Sequence, residues 1–274
     1  MLPFVAAVFL ALGVSDAASI LGFLPFHGTS HNMNTVPLFV ELAKRGHNVT
    51  LAGFHPPKMP VSNLNMITFN TAPGVVVKAS RSAGDYENPD HMTTMRLLHT
   101  LYPMYDGNIG HNNNFSDILN KRYDLLIVEM FESDFFMGFV SKIDAPFIII
   151  HNCEPLPWHR LTLADPLAPS VIPQVFGKRA PGMDFAGRFW NTVEILELMF
   201  EYRTAMLPRA QALVEKYLGP LPPLNEVTKN ASLYFTNTHS SLFGSRAMNP
   251  STIEIGGLHI SASKSLPKDL KTLL

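Results

Sequence analysis

One cysteine, Cys153, stands in 274 residues, so the chain forms no internal disulfide and offers no cysteine-based metal site. Charge is also scarce. Asp, Glu, Lys and Arg make up 16% of the residues, with a net charge of -1, and without a basic surplus nucleic acid is not expected as a main partner. No Gly-rich phosphate loop follows the first apolar segment and no Gly-x-Ser-x-Gly elbow occurs, which argues against a nucleotide kinase, a dinucleotide oxidoreductase and an ordinary hydrolase. The eleven histidines include no His-Glu-x-x-His or similarly spaced helical pair, so the spacing gives no support for a metal. Beyond the first turn of the sequence there is no apolar run of the roughly 20 residues a membrane span needs, and no internal repeat.

What is present is apolar. The hydrophobic fraction is 46%, with 19 Phe, 7 Tyr and 13 Met, enough for a well-filled core in one large domain or two small ones. Residues 1–17, MLPFVAAVFLALGVSDA, form a short apolar stretch ending in small residues, with Ser15 and Ala17 placed for cleavage, and read as a signal peptide. Three sequons, at Asn48, Asn114 and Asn230, fit entry into the secretory pathway.

The segment from Ile20 to Leu51 organises the rest. Ile20 to Leu24 is long enough for a buried strand, and Pro25 leads into a polar loop with His27, Gly28, Ser30 and His31. A helix is expected after it, capped by Asn34, with Val36, Phe39, Val40 and Ala43 at helical spacing until Gly46. Asn48 to Ala52 then reads as a second strand, closing a right-handed strand-helix-strand unit. A third short strand is expected between Val61 and Phe69, and a helical stretch from Met92 to Leu101. A second unit follows: strand Leu125 to Val128 ending at Glu129, helical spacing from Phe135 to Lys142, and strand Ala145 to Ile150 ending at His151 and Asn152. Pro155 to Pro181 reads as a long loop and Phe185 to Tyr217 as mostly helix, interrupted at Pro208, whose wide apolar face is expected to pack on the core. Ala231 to Asn237 and Thr252 to Ile255 are the last strands. Sheets of this kind bind ligands at the carboxyl ends of their strands, which puts His31 at the mouth of a site.

There His31 is a candidate general base, since imidazole titrates near neutral pH and can take a proton from a hydroxyl. Such a base works best when a carboxylate holds its other nitrogen. Glu129, at a strand end, is in a position to do so, and Glu132 and Asp134 compete for the role.

Ser30-His31, the segment Ala43 to Thr50, Tyr123 to Glu129, and Ile255-Gly256-Gly257-Leu258-His259 together resemble the amino-terminal half of UDP-glucuronosyltransferases, invertebrate UDP-glycosyltransferases in particular. The resemblance covers nearly the whole chain after residue 17. It implies an α/β fold with a Rossmann-like parallel sheet flanked by helices, the amino-terminal domain of a GT-B glycosyltransferase. It implies a signal peptide over 1–17, an acceptor-binding domain over 18–257, and over 258–274 a hinge at Gly256-Gly257 followed by the opening of a donor-binding domain that is missing here. The activity implied is transfer of a sugar from a UDP-sugar to the hydroxyl of a small lipophilic acceptor, with inversion, in the endoplasmic reticulum lumen. The UDP-sugar is a co-substrate, met through the missing domain, and no cofactor is implied. A homo-oligomer or a hetero-oligomer with full-length relatives is expected, as is membrane association where a full-length form carries the family's carboxyl-terminal helix, and a catalytically inactive lumenal ligand-binding or regulatory form is the rival reading. Residue by residue, His31 matches the catalytic base, and Glu129 falls where many members have an aspartate. The extra methylene leaves open whether Glu129 or Asp134 orients His31.

Overall fold

A computed structural model describes residues 17–57, 59–71, 91–112, 114–131, 134–175, 177, 179–261 and 265 of the protein, with the backbone alone over 91–98 and at 100. The expected signal peptide, apart from Ala17, lies outside these residues, as do Glu132 and most of 258–274.

Seven strands form one parallel sheet: β1 (Ser19–Leu24), β2 (Asn48–Gly53), β3 (Leu64–Thr68), β4 (Leu125–Glu129), β5 (Phe147–His151), β6 (Leu233–Thr236) and β7 (Thr252–Glu254). Their spatial order is β3-β2-β1-β4-β5-β6-β7. The order runs one way from β1 to β3 and the other way from β4 onward, so the winding reverses between β1 and β4, where Ile20 pairs with Leu125 and Phe23 with Val128. Crevices for ligands open at such a reversal, beyond the carboxyl ends of the strands.

The strands are nearly continuous runs of apolar residues because both faces are covered. On one face Ile20, Leu24, Val49, Leu51, Ile127 and Ile150 pack with Phe39 and Ala43 of helix α1 (Thr29–Lys44). Gly22 is required there: a Cβ on it would lie 2.5 Å from the Phe39 ring, so only glycine lets α1 sit on β1 at this depth. Gly46, at φ +97°, turns the chain from α1 into β2 in a conformation that side chains with a Cβ disfavour. On the other face Leu21, Phe23, Leu126, Val128 and Ile149 meet a thicker layer. It is built from α2 (His91–His111), α3 (Phe115–Leu119), α4 (Met137–Val140), α5 (Pro157–Thr162), α6 (Phe185–Glu201), a π-helical turn (Tyr202–Met206), α7 (Leu207–Leu218) and α8 (Leu224–Lys229).

Three sequence expectations need correction. Helix α1 starts at Thr29 after Gly28, not after Asn34, so Pro37 lies inside it. Among the polar residues that read as loop, the buried Asn32 is satisfied within the helix start, donating to the carbonyls of Gly28 (3.0 Å) and Phe26 (3.3 Å). The stretch Pro155 to Pro181 is not all loop, since α5 begins at Pro157, where a proline's missing N–H is harmless. The face of α6 that packs inward is not the wide aromatic one. Asn191, Ile195 and Leu198 are buried, while Phe185, Phe189, Trp190, Leu196 and Phe200 are all more than half exposed. Asn191 faces inward because its amide bonds the Gln174 N–H and the carbonyls of Pro169 and Ile172. Among the described residues no helix is long and apolar enough to cross a membrane.

Proline 208 explains the π turn. Its ring clashes with a carbonyl one turn back and it has no N–H to donate, so the regular ladder cannot run through it. The chain widens to a π turn over Tyr202–Met206 and restarts as α7 with the proline in the first turn.

Candidate active site

His31 is the third residue of α1, hence in its first turn and not in a loop, directly above the carboxyl end of β1. Glu129 is the last residue of β4, the next strand across the reversal. Their side chains meet: His31 Nδ1 lies 2.5 Å from Glu129 Oε1. The glutamate side chain is wholly buried and that of His31 keeps 14% exposure, so one ring edge faces outward while the other is held from below. Phe26 and Phe131 flank the imidazole with ring centroids 4.6 Å away in both cases, restricting its rotation and giving the opening an apolar rim. With Nδ1 committed to a carboxylate, Nε2 is the atom placed to meet a hydroxyl.

The extra methylene of Glu129 is accommodated, and sequence reasoning did not foresee how. Asn152, one residue past β5, donates from Nδ2 to the same Oε1 at 2.8 Å. Its Oδ1 lies 2.8 Å from the Thr35 hydroxyl, which is one turn along α1 from His31 and 3.0 Å from the His31 carbonyl oxygen. A hint was available: Asn152 follows a run of buried strand residues, at the same strand-end level as Glu129.

Asp134 does not join them. It is fully buried and accepts hydrogen bonds from Tyr202 and from Thr228 Oγ1 (2.6 Å), clamping the π turn and α8 to the segment after β4. Burial pushes its carboxyl pKa up, and burial beside that carboxylate pushes the Tyr202 hydroxyl up too. Of the other competitor, Glu132, nothing is described.

Around this pair lie groups that shape the strand ends. His151, closing β5, and His159 in α5 are fully buried with ring centroids 5.1 Å apart. Burial holds His151 well below the usual imidazole range, and it holds His159 down to about 3, so both are neutral supports and not proton carriers near pH 7. Glu154 binds Arg160 and Arg246 (2.6 Å to the latter), tying the ends of β5 and the segment before β7. Among the described residues no cluster of three or more His, Cys, Asp or Glu side chains could hold a metal ion.

Comparisons with known proteins bear on the chain as a whole. No protein-family model matches the chain. UDP-glucosyltransferase 2 of Dactylopius coccus is 30% identical over 272 residues, covering 96% of this chain and 52% of that protein. UDP-glucuronosyltransferase 2B15 of Rattus norvegicus is 24% identical over 272 residues, covering 88% and 49% respectively. The chain thus spans about half the length of the curated relatives it matches, their amino-terminal half. Among solved structures, UGT2 of Phytolacca americana, complexed with UDP-2fluoro-glucose and pterostilbene, covers 93% of this chain at 15% identity with a TM-score of 0.43.

Proposed function

We propose that this chain, a homologue of the amino-terminal half of UDP-glycosyltransferases, is the acceptor-binding part of such an enzyme, the amino-terminal domain of a GT-B fold. The observation that carries the reading is the 2.5 Å contact of His31 with Glu129 at the reversal between β1 and β4. A small lipophilic acceptor enters past Phe26 and Phe131 and presents a hydroxyl to His31 Nε2. The imidazole takes the proton and Glu129 stabilises the imidazolium that forms. The acceptor oxygen then attacks the anomeric carbon of a UDP-sugar as UDP leaves, inverting that centre. A base with its orienting acid supplies about 10²–10⁴ of the rate, and positioning of the two substrates supplies much of the rest.

The division of labour follows from where the donor is held. Phosphates are gripped by backbone amides at helix N-termini and by basic side chains, and in this reading those groups belong to the half of the relatives that these 274 residues do not match. Calorimetric titration of the 274-residue chain with a lipophilic phenol, UDP-glucose and UDP-glucuronate is the test. The expected result is weak phenol binding with no saturable heat from either nucleotide sugar. A micromolar donor site on this chain would show that the assignment of halves is wrong. Absence of phenol binding would remove the acceptor role.

A further inference from the structure

Glu129 offers two oxygens to His31, and the described residues constrain only one of them. Oε1 receives both His31 and Asn152, whereas Oε2 is buried with no hydrogen-bond partner among the described residues. Among those residues only the Asn152 amide therefore selects which rotamer the carboxylate holds. The orientation of that amide is itself fixed by chemistry. A carboxylate oxygen only accepts, so the Nδ2 side must face Glu129, and the carbonyl side is left to face the Thr35 hydroxyl at 2.8 Å. Thr35 sits on the same helix as His31, four residues on, and its hydroxyl also lies 3.0 Å from the His31 carbonyl. The hydroxyl has one proton to share between these two acceptors and Asn152 Oδ1 is the nearer, so a chain of contacts runs from His31 through Glu129 and Asn152 to Thr35, one turn along the same helix. It joins the first turns of α1 to the ends of β4 and β5. Asn237, past the end of β6, adds a tie by donating to the Asn152 carbonyl at 3.2 Å.

We propose that Asn152, locked by Thr35, is a positioning residue that aims Glu129 at His31 and so fixes the imidazole proton on Nδ1. This rests on His31 being the base of the proposed transfer. It explains how a glutamate serves here: its longer side chain has one more torsion to fix, and the amide fixes it. Asn152 and Thr35 are 8% and 1% exposed, so water is not available in bulk to take over either bond.

The test reads the imidazole itself. In histidine labelled with ¹⁵N, the ring nitrogen shifts of His31 report the ratio of the two neutral tautomers and the titration midpoint. The wild-type chain is expected to hold the Nδ1–H form. Asn152→Leu, close in size and unable to donate, is expected to lower the Nδ1–H to Nε2–H ratio about tenfold or more, the scale of one hydrogen bond to a charged group. Thr35→Val loosens the lock at one remove and is expected to move the ratio the same way by less. Circular dichroism and thermal melting establish that each variant is folded, and where Asn152→Leu is not, Thr35→Val decides alone. A folded variant with an unchanged ratio and midpoint overturns the proposal, leaving Asn152 a purely structural residue. The measurement needs no donor and no turnover. A changed ratio in a chain that binds no acceptor therefore sinks only the transfer reading, and an unchanged ratio with acceptor binding intact sinks only the role of Asn152.

Discussion

At the scale of single residues, two carboxylates near the same strand end have been given different work by their partners. Glu129 is shared by an imidazole and an amide at the rim of the sheet, whereas Asp134 is enclosed by hydroxyls from Tyr202 and Thr228. In an enzyme completed by the carboxyl-terminal half of a curated relative, His31→Ala is expected to lower turnover by at least about 10², with acceptor affinity little changed. Glu129→Gln, which keeps the shape but not the charge that stabilises the imidazolium, should be similarly severe. Asp134→Asn should leave turnover within a few-fold and lower the melting temperature, an effect on the clamp alone. Steady-state kinetics of the three variants check the ranking, and an Asp134→Asn defect larger than that of Glu129→Gln would reverse the assignment. The place of His31 was legible because it follows an apolar run that reads as a buried strand, and its proposed role as base came from the resemblance of Ser30-His31 to the family's motif. The competition between Glu129 and Asp134 was not, since one ends β4 and the other follows it within five residues, and only the partners from α1, α8 and the π turn separate them.

At the scale of elements, the strands were legible and the helix starts were less so. Ile20 to Leu24, Leu125 to Glu129 and the isoleucines of β5 are buried on both faces, and continuous apolar runs bounded by polar residues have few other homes. The start of α1 was misplaced by six residues because Ser30, His31, Asn32 and Asn34 have the composition of a loop. In the helix Asn32 bonds the Phe26 and Gly28 carbonyls, and the following Thr35 reaches Asn152, 117 residues away, a partner no local pattern encodes. The seating of α1 on β1 should therefore matter to the site as well as to the fold. Gly22→Ala would place a Cβ 2.5 Å from the Phe39 ring, and the helix must shift or Phe39 must leave its rotamer. Overpacking of this kind costs about 1–3 kcal/mol. Urea titration is expected to show that loss, and Phe39→Leu in the same chain should recover a large part of it. Additive losses in the double variant would mean that the contact is not the cause.

For the whole molecule, the strand-helix-strand units and the relation to the amino-terminal half of UDP-glycosyltransferases were legible in apolar runs and a few short motifs, whereas the order of the strands and the reversal between β1 and β4 come from the structure. What the sequence did not disclose is how many polar groups the fold buries at the strand ends, and this gives the molecule a specific response to acid. His151 and His159 have 2% and 0% exposure, and neither nitrogen of His159 nor Nε2 of His151 has a hydrogen-bond partner among the described residues. Burial lowers both imidazoles, His159 to about 3 from an unfolded value of 6.5. Between those two values the unfolded chain binds a proton at His159 that the native chain refuses, so stability rises with pH in this window and falls as the solution is acidified below about 6.5. Each such group contributes a slope of up to about 1.4 kcal/mol per pH unit. Asp134 acts in the opposite sense: its raised pKa makes the native state the better proton binder, which favours folding at low pH and loses that advantage as pH rises through its folded value. Because Asp134 opposes the histidines, the contribution of His159 is read from the difference between the wild-type chain and a His159 variant. Urea unfolding at several pH values between 7.5 and 5 is expected to show stability declining with acid, and His159→Gln to flatten that slope by close to one proton whatever its effect on the absolute level. An identical slope in the two chains would mean that His159 takes up its proton without unfolding, and that the strand ends admit water where the structure shows them closed.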